Sequence, residues 1–351
     1  MSVPVDPPSP DDPPGTGPFD VVGVGSPLVD VLATAAEPVL ADLGLQKGSM
    51  ELVDLERAET IYERMGPTTE VSGGSAANTM AGVAALGGRA GFVGKVADDP
   101  LGTVFLHDIR AAGVTFGAVP VADGSSPDAE ARGTGRCLIL VTGDAERTMA
   151  THLGVATTIS PADLPEDFVA QGRVLYLEGY LWDLPPAKAA MRRAIEVARA
   201  NDASVALSLS DPFCVERHRR DFLDLVRDDL DVLFANEEEV VALFGTRSFD
   251  AAVGAVGEAG LLGALTRGAA GSVVVGPSGA APVPAQPVDH VVDTTGAGDL
   301  FAAGFLYGLT HGAGPERCAE LGGLCAAEVI SHLGARPQAD LQALVDAAGL
   351  R

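Results

Sequence analysis

The chain has 351 residues, of which 47% are apolar and 20% are charged, so it is long enough to bury one large core or a core with an appended lobe. Its 48 acidic residues outnumber the 23 basic ones, which gives a formal net charge of −25. Such a charge repels nucleic acid and anionic membranes and argues against both as partners. Any polyphosphate ligand must therefore be held by Mg²⁺, backbone amides and a few local arginines.

The four cysteines show no CxxC pair and no histidine at metal-binding spacing, which favours reduced, buried thiols. No apolar run approaches the ~18 residues that span a bilayer. The first residues also lack the basic and apolar regions of a signal peptide, so we expect a cytoplasmic protein. Residues 1–18 are rich in Pro, Asp and Gly and predict a disordered tail, which leaves 19–351 as the folded domain.

From residue 19 onward, short β-branched segments alternate with helical patterns. The strand candidates are 19–25, 91–96, 174–177, 205–209, 232–235 and 272–275. The helix candidates are 76–86, 187–200, 219–227, 237–244, 249–259, 299–309, 315–333 and 340–348. Strands that alternate with helices predict a parallel sheet covered by helices on both faces.

Two stretches break this alternation. Residues 45–52 and 136–153 have strand character without intervening helices. They predict a small sheet outside the main one, and the alternative is a pair of surface hairpins.

The most informative segment is a turn between an apolar strand end and an apolar helix, made of Gly296, Ala297, Gly298 and Asp299. Such a turn exposes backbone N–H groups at a helix N-terminus, where the macrodipole also favours an anion. Glycines let a phosphate approach the backbone. The dipole is expected to keep the Asp299 carboxylate ionised and ready to accept a proton. The alternative is that Thr295 or Asp299 only caps the helix.

A second segment places Gly73 and Gly74 before an alanine-rich helix that carries Asn78. The glycines alone are compatible with a tight turn and close packing. Asn78 is more informative, because an amide on an otherwise apolar helix face needs hydrogen-bond partners.

Together, residues 292–305, 72–79 and 87–102 resemble the two signatures of the ribokinase-like (PfkB) carbohydrate and nucleoside kinases. The resemblance covers nearly all of residues 19–345. It implies a three-layer α/β/α core with a mostly parallel central sheet, and a small β-sheet lid formed from about 36–70 and 114–153. It also implies a kinase that uses ATP and Mg²⁺ on a small-molecule acceptor, as a monomer or a homodimer.

The resemblance assigns catalytic roles to the glycine-rich turn. Asp299 would be the base that deprotonates the acceptor hydroxyl. The amides of Gly296, Ala297 and Gly298, together with Arg147, would stabilise the transferring phosphoryl group.

The same resemblance assigns the acceptor site. Asp30 would clamp two vicinal hydroxyls of a furanose, since a carboxylate accepts two such hydrogen bonds. The other acceptor-binding residues implied are Gly73, Gly74, Asn78 and Phe213.

The residues that would border the nucleotide are Asn236, Glu239, Thr266, Gly268 and Gly271. Glu239 would reach Mg²⁺ indirectly. Many members of the family bind K⁺ beside the phosphate site, and Asp293 and Thr295 match the positions that would hold it here.

Three segments resemble the adenosine kinases within this family. Residues 208–213 match their Asn-Leu-Ser-x-Pro-Phe segment with Ser208 in place of Asn, residues 134–148 match their lid strands, and residues 45–50 match their lid entry. We therefore expect phosphorylation of a ribonucleoside 5′-hydroxyl, with adenosine as the first candidate. The alternatives are a ribokinase- or fructokinase-like sugar kinase and a kinase for inosine, guanosine or cytidine. A kinase-like binding module is a further alternative, but it should lack the base or the glycines, and all are present.

A nucleoside acceptor also needs an apolar slot for its base. Leu138, Leu140 and Met149 on the lid are the predicted lining, with Phe213 or Trp182 as an aromatic wall. The alternative is that these side chains form only the lid's own small core.

Overall fold

A computed structural model describes residues 19–118, 121, 133–144 and 146–350. The predicted tail, residues 1–18, and much of the predicted lid segment between 119 and 132 lie outside the described residues.

The described chain alternates strands and helices throughout. The strands are β1 (Phe19–Val24), β2 (Leu28–Thr34), β3 (Met50–Leu52), β4 (Thr69–Gly73), β5 (Ala90–Val93), β6 (Thr115–Phe116), β7 (Gly135–Val141), β8 (Arg147–His152), β9 (Gly172–Glu178), β10 (Ser204–Ser208), β11 (Val232–Asn236), β12 (Leu262–Thr266), β13 (Ser272–Gly276) and β14 (Gly279–Val283). The helices are α1 (Glu37–Asp42), α2 (Leu55–Tyr62), α3 (Ser75–Ala85), α4 (Pro100–Ala111), α5 (Glu166–Val169), α6 (Pro185–Ala200), α7 (Pro212–Asp228), α8 (Glu237–Phe244), α9 (Phe249–Glu258), α10 (Ala297–Thr310), α11 (Pro315–Val329) and α12 (Leu341–Ala347).

The large sheet has the strand order β14-β13-β12-β11-β10-β9-β1-β5-β6 within the described residues. Neighbouring strands run parallel from β12 to β6, and an antiparallel hairpin, β13 and β14, closes one edge. Successive residues of the central strands point to opposite faces of the sheet, so they contribute to two separate hydrophobic cores. On one face Val21 shares a core with Met80 and Phe305, and on the other Val22 shares a core with Phe222. The predicted three-layer α/β/α arrangement is confirmed.

The small sheet has the strand order β3-β8-β7-β2-β4. It corresponds to the small sheet expected as a lid from about 36–70 and 114–153, and we call it the lid. β2 belongs to the lid although it begins at Leu28, and β6 pairs with β5 in the large sheet. Burial alternates along β2, which is typical of a strand with one covered face.

The outer face of the lid is covered by helices. Val31 of β2 and Leu138 of β7 are fully buried in a core that also contains Leu40 of α1 and Ile61 of α2. The lid therefore has its own hydrophobic layer, and its opposite face is turned towards the large sheet.

Within the described residues, no single helix has both the length and the apolar character needed to cross a membrane. The pair α8 and α9 meets that test only jointly, and it is bent by 63°.

Helices α10 and α11 pack with almost no side chain between them. A Cβ atom added at Gly304 would lie 2.5 Å from the backbone oxygen of Leu321. We therefore expect Gly304→Ala to lower the free energy of unfolding by ~1–3 kcal/mol, since overpacking forces the backbones apart. Gly254→Ala is the matched control, because Gly254 lies on the exposed face of helix α9 with nothing within 4 Å of its added Cβ.

The control should instead raise stability by ~0.5–1 kcal/mol through its better helix propensity. Urea unfolding of the two variants and the parent measures both effects. Equal changes in the two variants would contradict the close packing of α10 on α11.

Candidate functional site

A cavity of about 500 Å³ lies between the lid and the carboxyl ends of the central strands. Asp30 and Ile139 line it from the lid, and Asn236, at the end of β11, lines it from the large sheet. Asp299, in the first turn of α10, forms part of the same wall. Open parallel sheets bind their ligands at this edge, because the loops that follow the strands converge there.

The cavity brings together residues predicted from distant parts of the sequence. Those that line it are Asp30, Gly74, Asn78, Asn236, Glu239, Thr266, Thr295, Gly296, Ala297, Gly298 and Asp299. Gly73 lies directly behind this wall, because a Cβ atom there would lie 2.7 Å from Oδ2 of Asp30. Gly268, Gly271, Asp293 and Arg147 lie outside the lining.

The turn before α10 has the form of an anion site. Gly296 is the N-cap residue with φ +80°, and it provides no side chain to satisfy the first amides of the helix. A Cβ at Gly298 would meet nothing within 4 Å, so the backbone there is open to the cavity. Donor groups at an open helix N-terminus fit a phosphate.

Asp299 is held by two side chains of α3. Ser75 Oγ donates to Asp299 Oδ1 at 2.7 Å, and Asn78 Nδ2 donates to Asp299 Oδ2 at 3.0 Å. The Asp299 carboxylate therefore accepts hydrogen bonds from side chains of α3, and the N-cap of α10 is Gly296. These contacts exclude the alternative that Thr295 or Asp299 only caps the helix. Burial raises the pKa of Asp299, while these two hydrogen bonds and the charge of Arg336 oppose the rise.

Asp30 sits on β2 opposite Cys137 of β7 and Val71 of β4. Burial raises the pKa of Asp30 to about 7, and the charges of Arg336 and Arg147 act in the opposite direction. Gly73 has no side chain, which leaves room for the Asp30 carboxylate.

Glu178, at the end of β9, was not singled out from the sequence. Its carboxylate accepts hydrogen bonds from Ser26 N at 2.7 Å and from Ala76 N at 2.9 Å. The N-cap of α3 is Gly74, which has no side chain, so Glu178 takes over the capping of this helix. Burial raises the pKa of Glu178 to about 7. The only signal in the sequence is an acidic residue at the end of an apolar strand.

Ser210 lies in the segment 208–213 that resembles the adenosine kinases, but no role was predicted for it. It lines the cavity in a left-handed conformation with φ 76°, which is strained for a serine. Its hydroxyl accepts a hydrogen bond from Gly179 N at 2.8 Å, and its carbonyl accepts one from Tyr180 at 3.2 Å. These bonds hold the loop after β10 against the loop after β9.

Asp293 and Thr295 bind an arginine in this structure. Arg147 Nη2 lies 2.6 Å from Asp293 Oδ2, and its Nη1 donates to Thr295 Oγ1 at 3.3 Å. Asp293 also accepts hydrogen bonds from Thr295 and from Gly334 N. A cation already occupies this carboxylate, so the two residues do not fit a K⁺ ion as well. Among the described residues, no cluster of His, Cys, Asp and Glu has metal-binding geometry.

Asn236 and Glu239 form a capping box at the start of α8. Asn236 Oδ1 accepts from Glu239 N at 2.9 Å, and Glu239 accepts from Asn236 N and Nδ2 at 2.9 and 2.8 Å. Burial raises the pKa of Glu239 to about 7. Both residues face the cavity but are bonded to one another, which fits a Mg²⁺ ion held through water rather than directly.

The predicted base slot needs correction. Phe213, in the first turn of α7, is 73% exposed and is not among the residues that line the cavity. Trp182 is buried against Phe222, with 5.7 Å between ring centroids. Leu138 and Leu140 are buried outside the cavity lining, in the core of the lid.

The strand period explains the error in the lid. Neighbouring residues of a strand point to opposite faces, so Cys137 and Ile139 face the cavity when Leu138 and Leu140 face the helices. Of the side chains predicted to line the base slot, only Met149 lines the cavity. The apolar wall consists of Met50, Leu52, Ile139, Met149 and Leu153.

The chain resembles known kinases along almost its whole length. Residues 48–341 match the profile of the pfkB family carbohydrate kinases. An adenosine kinase from Sinorhizobium meliloti has a similar structure, with a TM-score of 0.86 and 46% identity over 95% of this chain and 100% of that one. An adenosine kinase from Saccharomyces cerevisiae is 30% identical over 90% of this chain and 95% of its own. An ATP-dependent ribose-1-phosphate kinase from Halopiger xanaduensis is 33% identical over 76% of this chain and 84% of its own.

The matches agree with the cavity, since its floor carries an anion site beside a buried carboxylate. The family predicted from the two sequence signatures is confirmed. The chain belongs to the pfkB family of carbohydrate kinases and is an ATP-dependent kinase.

Proposed function

We propose that the enzyme transfers the γ-phosphoryl group of ATP to the 5′-hydroxyl of a ribonucleoside, with adenosine as the preferred acceptor. The observation that carries this proposal is the division of the cavity into a carboxylate-lined floor and an apolar wall on the lid. A free sugar needs polar groups on every side, whereas a nucleoside presents a polar ribose and a flat base. The similarity to two adenosine kinases supports the same acceptor.

The ribose would lie with its vicinal hydroxyls on Asp30 and its 5′-hydroxyl beside Asp299. Asp299 takes the hydroxyl proton as the oxygen attacks the γ-phosphorus, and the bond to the β-phosphate oxygen breaks. The amides of Gly296, Gly298 and Asp299 would donate to the transferring group and stabilise its charge. The amide of Ala297 donates to Thr294 O at 3.2 Å in this structure, so this predicted donor is already used. Mg²⁺, when bound with ATP, neutralises phosphate charge, and Asn236 and Glu239 would hold its water shell.

Burial makes the Asp299 carboxylate a stronger base but restricts the pH range in which it can accept a proton. A carboxylate with a raised pKa binds a proton more strongly, and proton transfer is most efficient when this pKa lies near the working pH. It accepts the proton only while ionised. The rate should therefore fall as the pH drops through the raised pKa.

Asp299→Asn tests the base directly. The amide keeps the size of the side chain but cannot accept a proton, so we expect kcat to fall at least ~10²-fold, the scale of a general base. Thermal unfolding and ATP binding should change little. A correctly folded variant with near-normal turnover would remove Asp299 from the mechanism.

The acceptor is tested by comparing kcat/KM for adenosine, inosine, guanosine, cytidine, ribose and fructose at fixed ATP and Mg²⁺. Burial of a purine on the lid wall should add ~1–3 kcal/mol to acceptor binding over ribose alone. We expect adenosine to rank first. A higher value for ribose or fructose would overturn the nucleoside assignment and leave the kinase assignment intact.

The lid wall offers a matched pair of substitutions. Ile139 lines the cavity, and its neighbour Leu138 points into the lid core. Ile139→Ala should raise KM for adenosine by ~5–30-fold, equivalent to ~1–2 kcal/mol of lost apolar contact, with a much smaller effect on ribose. Leu138→Ala should lower the free energy of unfolding by ~2–5 kcal/mol and leave the adenosine-to-ribose ratio unchanged.

A selective loss of adenosine binding in Leu138→Ala, or none in Ile139→Ala, would show that the base lies elsewhere. Steady-state kinetics at a temperature where both variants are folded gives this comparison.

We also infer a cytoplasmic location, which the four buried, unpaired cysteines support, and a monomer or homodimer. Dependence on K⁺ stays a prediction from the family resemblance. The ion pair between Arg147 and Asp293 argues against it.

A further inference from the structure

Arg336 lies beside the catalytic carboxylate, outside the motifs that identified the site. It belongs to the loop between α11 and α12, which packs on the turn of the anion site. Gly334 N donates to Asp293 Oδ2 at 2.8 Å, and a Cβ added at Gly296 would lie 2.8 Å from Ala335 Cα. The loop therefore places Arg336 against the start of α10.

The guanidinium is connected to Asp299 through one amide. Arg336 Nε donates to Asn78 Oδ1 at 2.8 Å, and Asn78 Nδ2 donates to Asp299 Oδ2 at 3.0 Å. A guanidinium can only donate, so it requires the amide oxygen of Asn78 on its own side. The amide nitrogen must then face Asp299. Arg336 thereby selects the one orientation of Asn78 that can hold an ionised carboxylate.

The charges around Asp299 explain why a cation is needed. In the described part of the chain it faces Asp30 of β2 and Glu178 of β9, with the hydroxyl groups of Tyr176 and Tyr180 nearby. Asp30 in turn faces Asp293 and Arg147, and Arg336 also faces Asp108 of α4. Arg147 is bonded to Asp293. Arg336 thus compensates the carboxylates on the acceptor side.

We propose that Arg336 is a positioning residue for phosphoryl transfer: it orients Asn78 against Asp299, and its positive charge offsets the negative charges of Asp299 and Asp30. The proposal rests on the proposed function, in which Asp299 is the base and Asp30 binds the acceptor. One nitrogen of the guanidinium, Nη2, is shielded from solvent and has no hydrogen-bond partner among the described residues. Arg336 therefore acts on Asp30 and Asp108 through charge rather than through a direct bond.

The direction of the effect follows from the pKa shifts. Burial raises the pKa of Asp30 to about 7 and also raises that of Asp299, and the charge of Arg336 opposes both rises. Burial lowers the pKa of Arg336 to about 10, so it stays charged at neutral pH. Its removal should raise both carboxylate pKa values further. Less of each carboxylate is then ionised at neutral pH, and the acid limb of the rate profile moves to higher pH.

The test compares Arg336→Gln, Arg336→Lys and the control Arg89→Gln. Arg89 is also a partly buried arginine beside a carboxylate, Asp20, but it lies at the other end of β1. The pH dependence of kcat is measured with the acceptor that ranks first in the panel, so a different preferred acceptor does not affect the comparison. Thermal unfolding is recorded for every variant.

We expect the acid limb of Arg336→Gln to move up by about one pH unit or more, as for loss of a close opposite charge, with kcat at pH 7 at least ~10-fold lower. Arg336→Lys keeps the charge and should keep the limb close to that of the parent. Its kcat should still fall, because an ammonium group does not reproduce the planar contact with Asn78. Arg89→Gln should leave both the limb and kcat unchanged.

A second measurement does not depend on activity. With ¹³C-labelled aspartate, the carboxyl resonance that disappears in Asp299→Asn belongs to Asp299, and its titration midpoint should be higher in Arg336→Gln than in the parent. An unchanged midpoint in folded Arg336→Gln would overturn the proposal, as would an unshifted acid limb. If Arg336→Gln does not fold, a shifted midpoint in Arg336→Lys would overturn it instead. If no acceptor in the panel were phosphorylated, that result would contradict the proposed function but not the effect of Arg336 on the Asp299 titration.

Discussion

The site depends on keeping four carboxylates charged although they are crowded into one cavity. Asp30, Glu178, Glu239 and Asp299 all line one cavity, and burial raises the pKa of each. They do so in a protein whose net charge is −25, so the global field also favours their protonation. Local hydrogen bonds stabilise the charged forms. Backbone amides bind Glu178, a capping box holds Glu239, and two side chains donate to Asp299.

Much of this arrangement could be predicted from the sequence, because its causes are local in the chain. A glycine-rich turn at a helix N-terminus exposes backbone amides that favour an anion, and the residues at Gly296–Asp299 are contiguous, although the strand expected before them is not formed. The buried strands of a parallel sheet are continuous apolar runs, so β1, β9, β10 and β11 were found with small errors in their ends. Helix α8 was predicted with its exact bounds, since Asn236 and Glu239 form a recognisable capping pair and Gly245 ends the helix.

The parts that were missed depend on contacts between distant segments. Which of two neighbouring lid residues faces the acceptor is set by pairing across the sheet, and a shift of one residue exchanges the two faces. The sequence around Ile139 is apolar on both faces and gives no preference. Glu178 caps a helix that begins about a hundred residues earlier in the chain, and Arg336 reaches Asn78 from a loop near the opposite end. Neither residue has a local pattern that marks its role.

The placement of Asp30 on the lid has a consequence for the order of events. Asp30 is carried by β2, whereas Asp299 and Asn78 are carried by α10 and α3, which pack through Gly82 and Gly304 against their neighbours without room to slide. Any outward swing of the small sheet would take Asp30 away from Asp299 and leave the glycine turn at Gly296–Gly298 where it is. Asp30 and Asp299 face the same cavity only while the small sheet lies over it, as it does in this structure. An acceptor that binds between them would hold the sheet in that position and would reduce the loss of ATP to water.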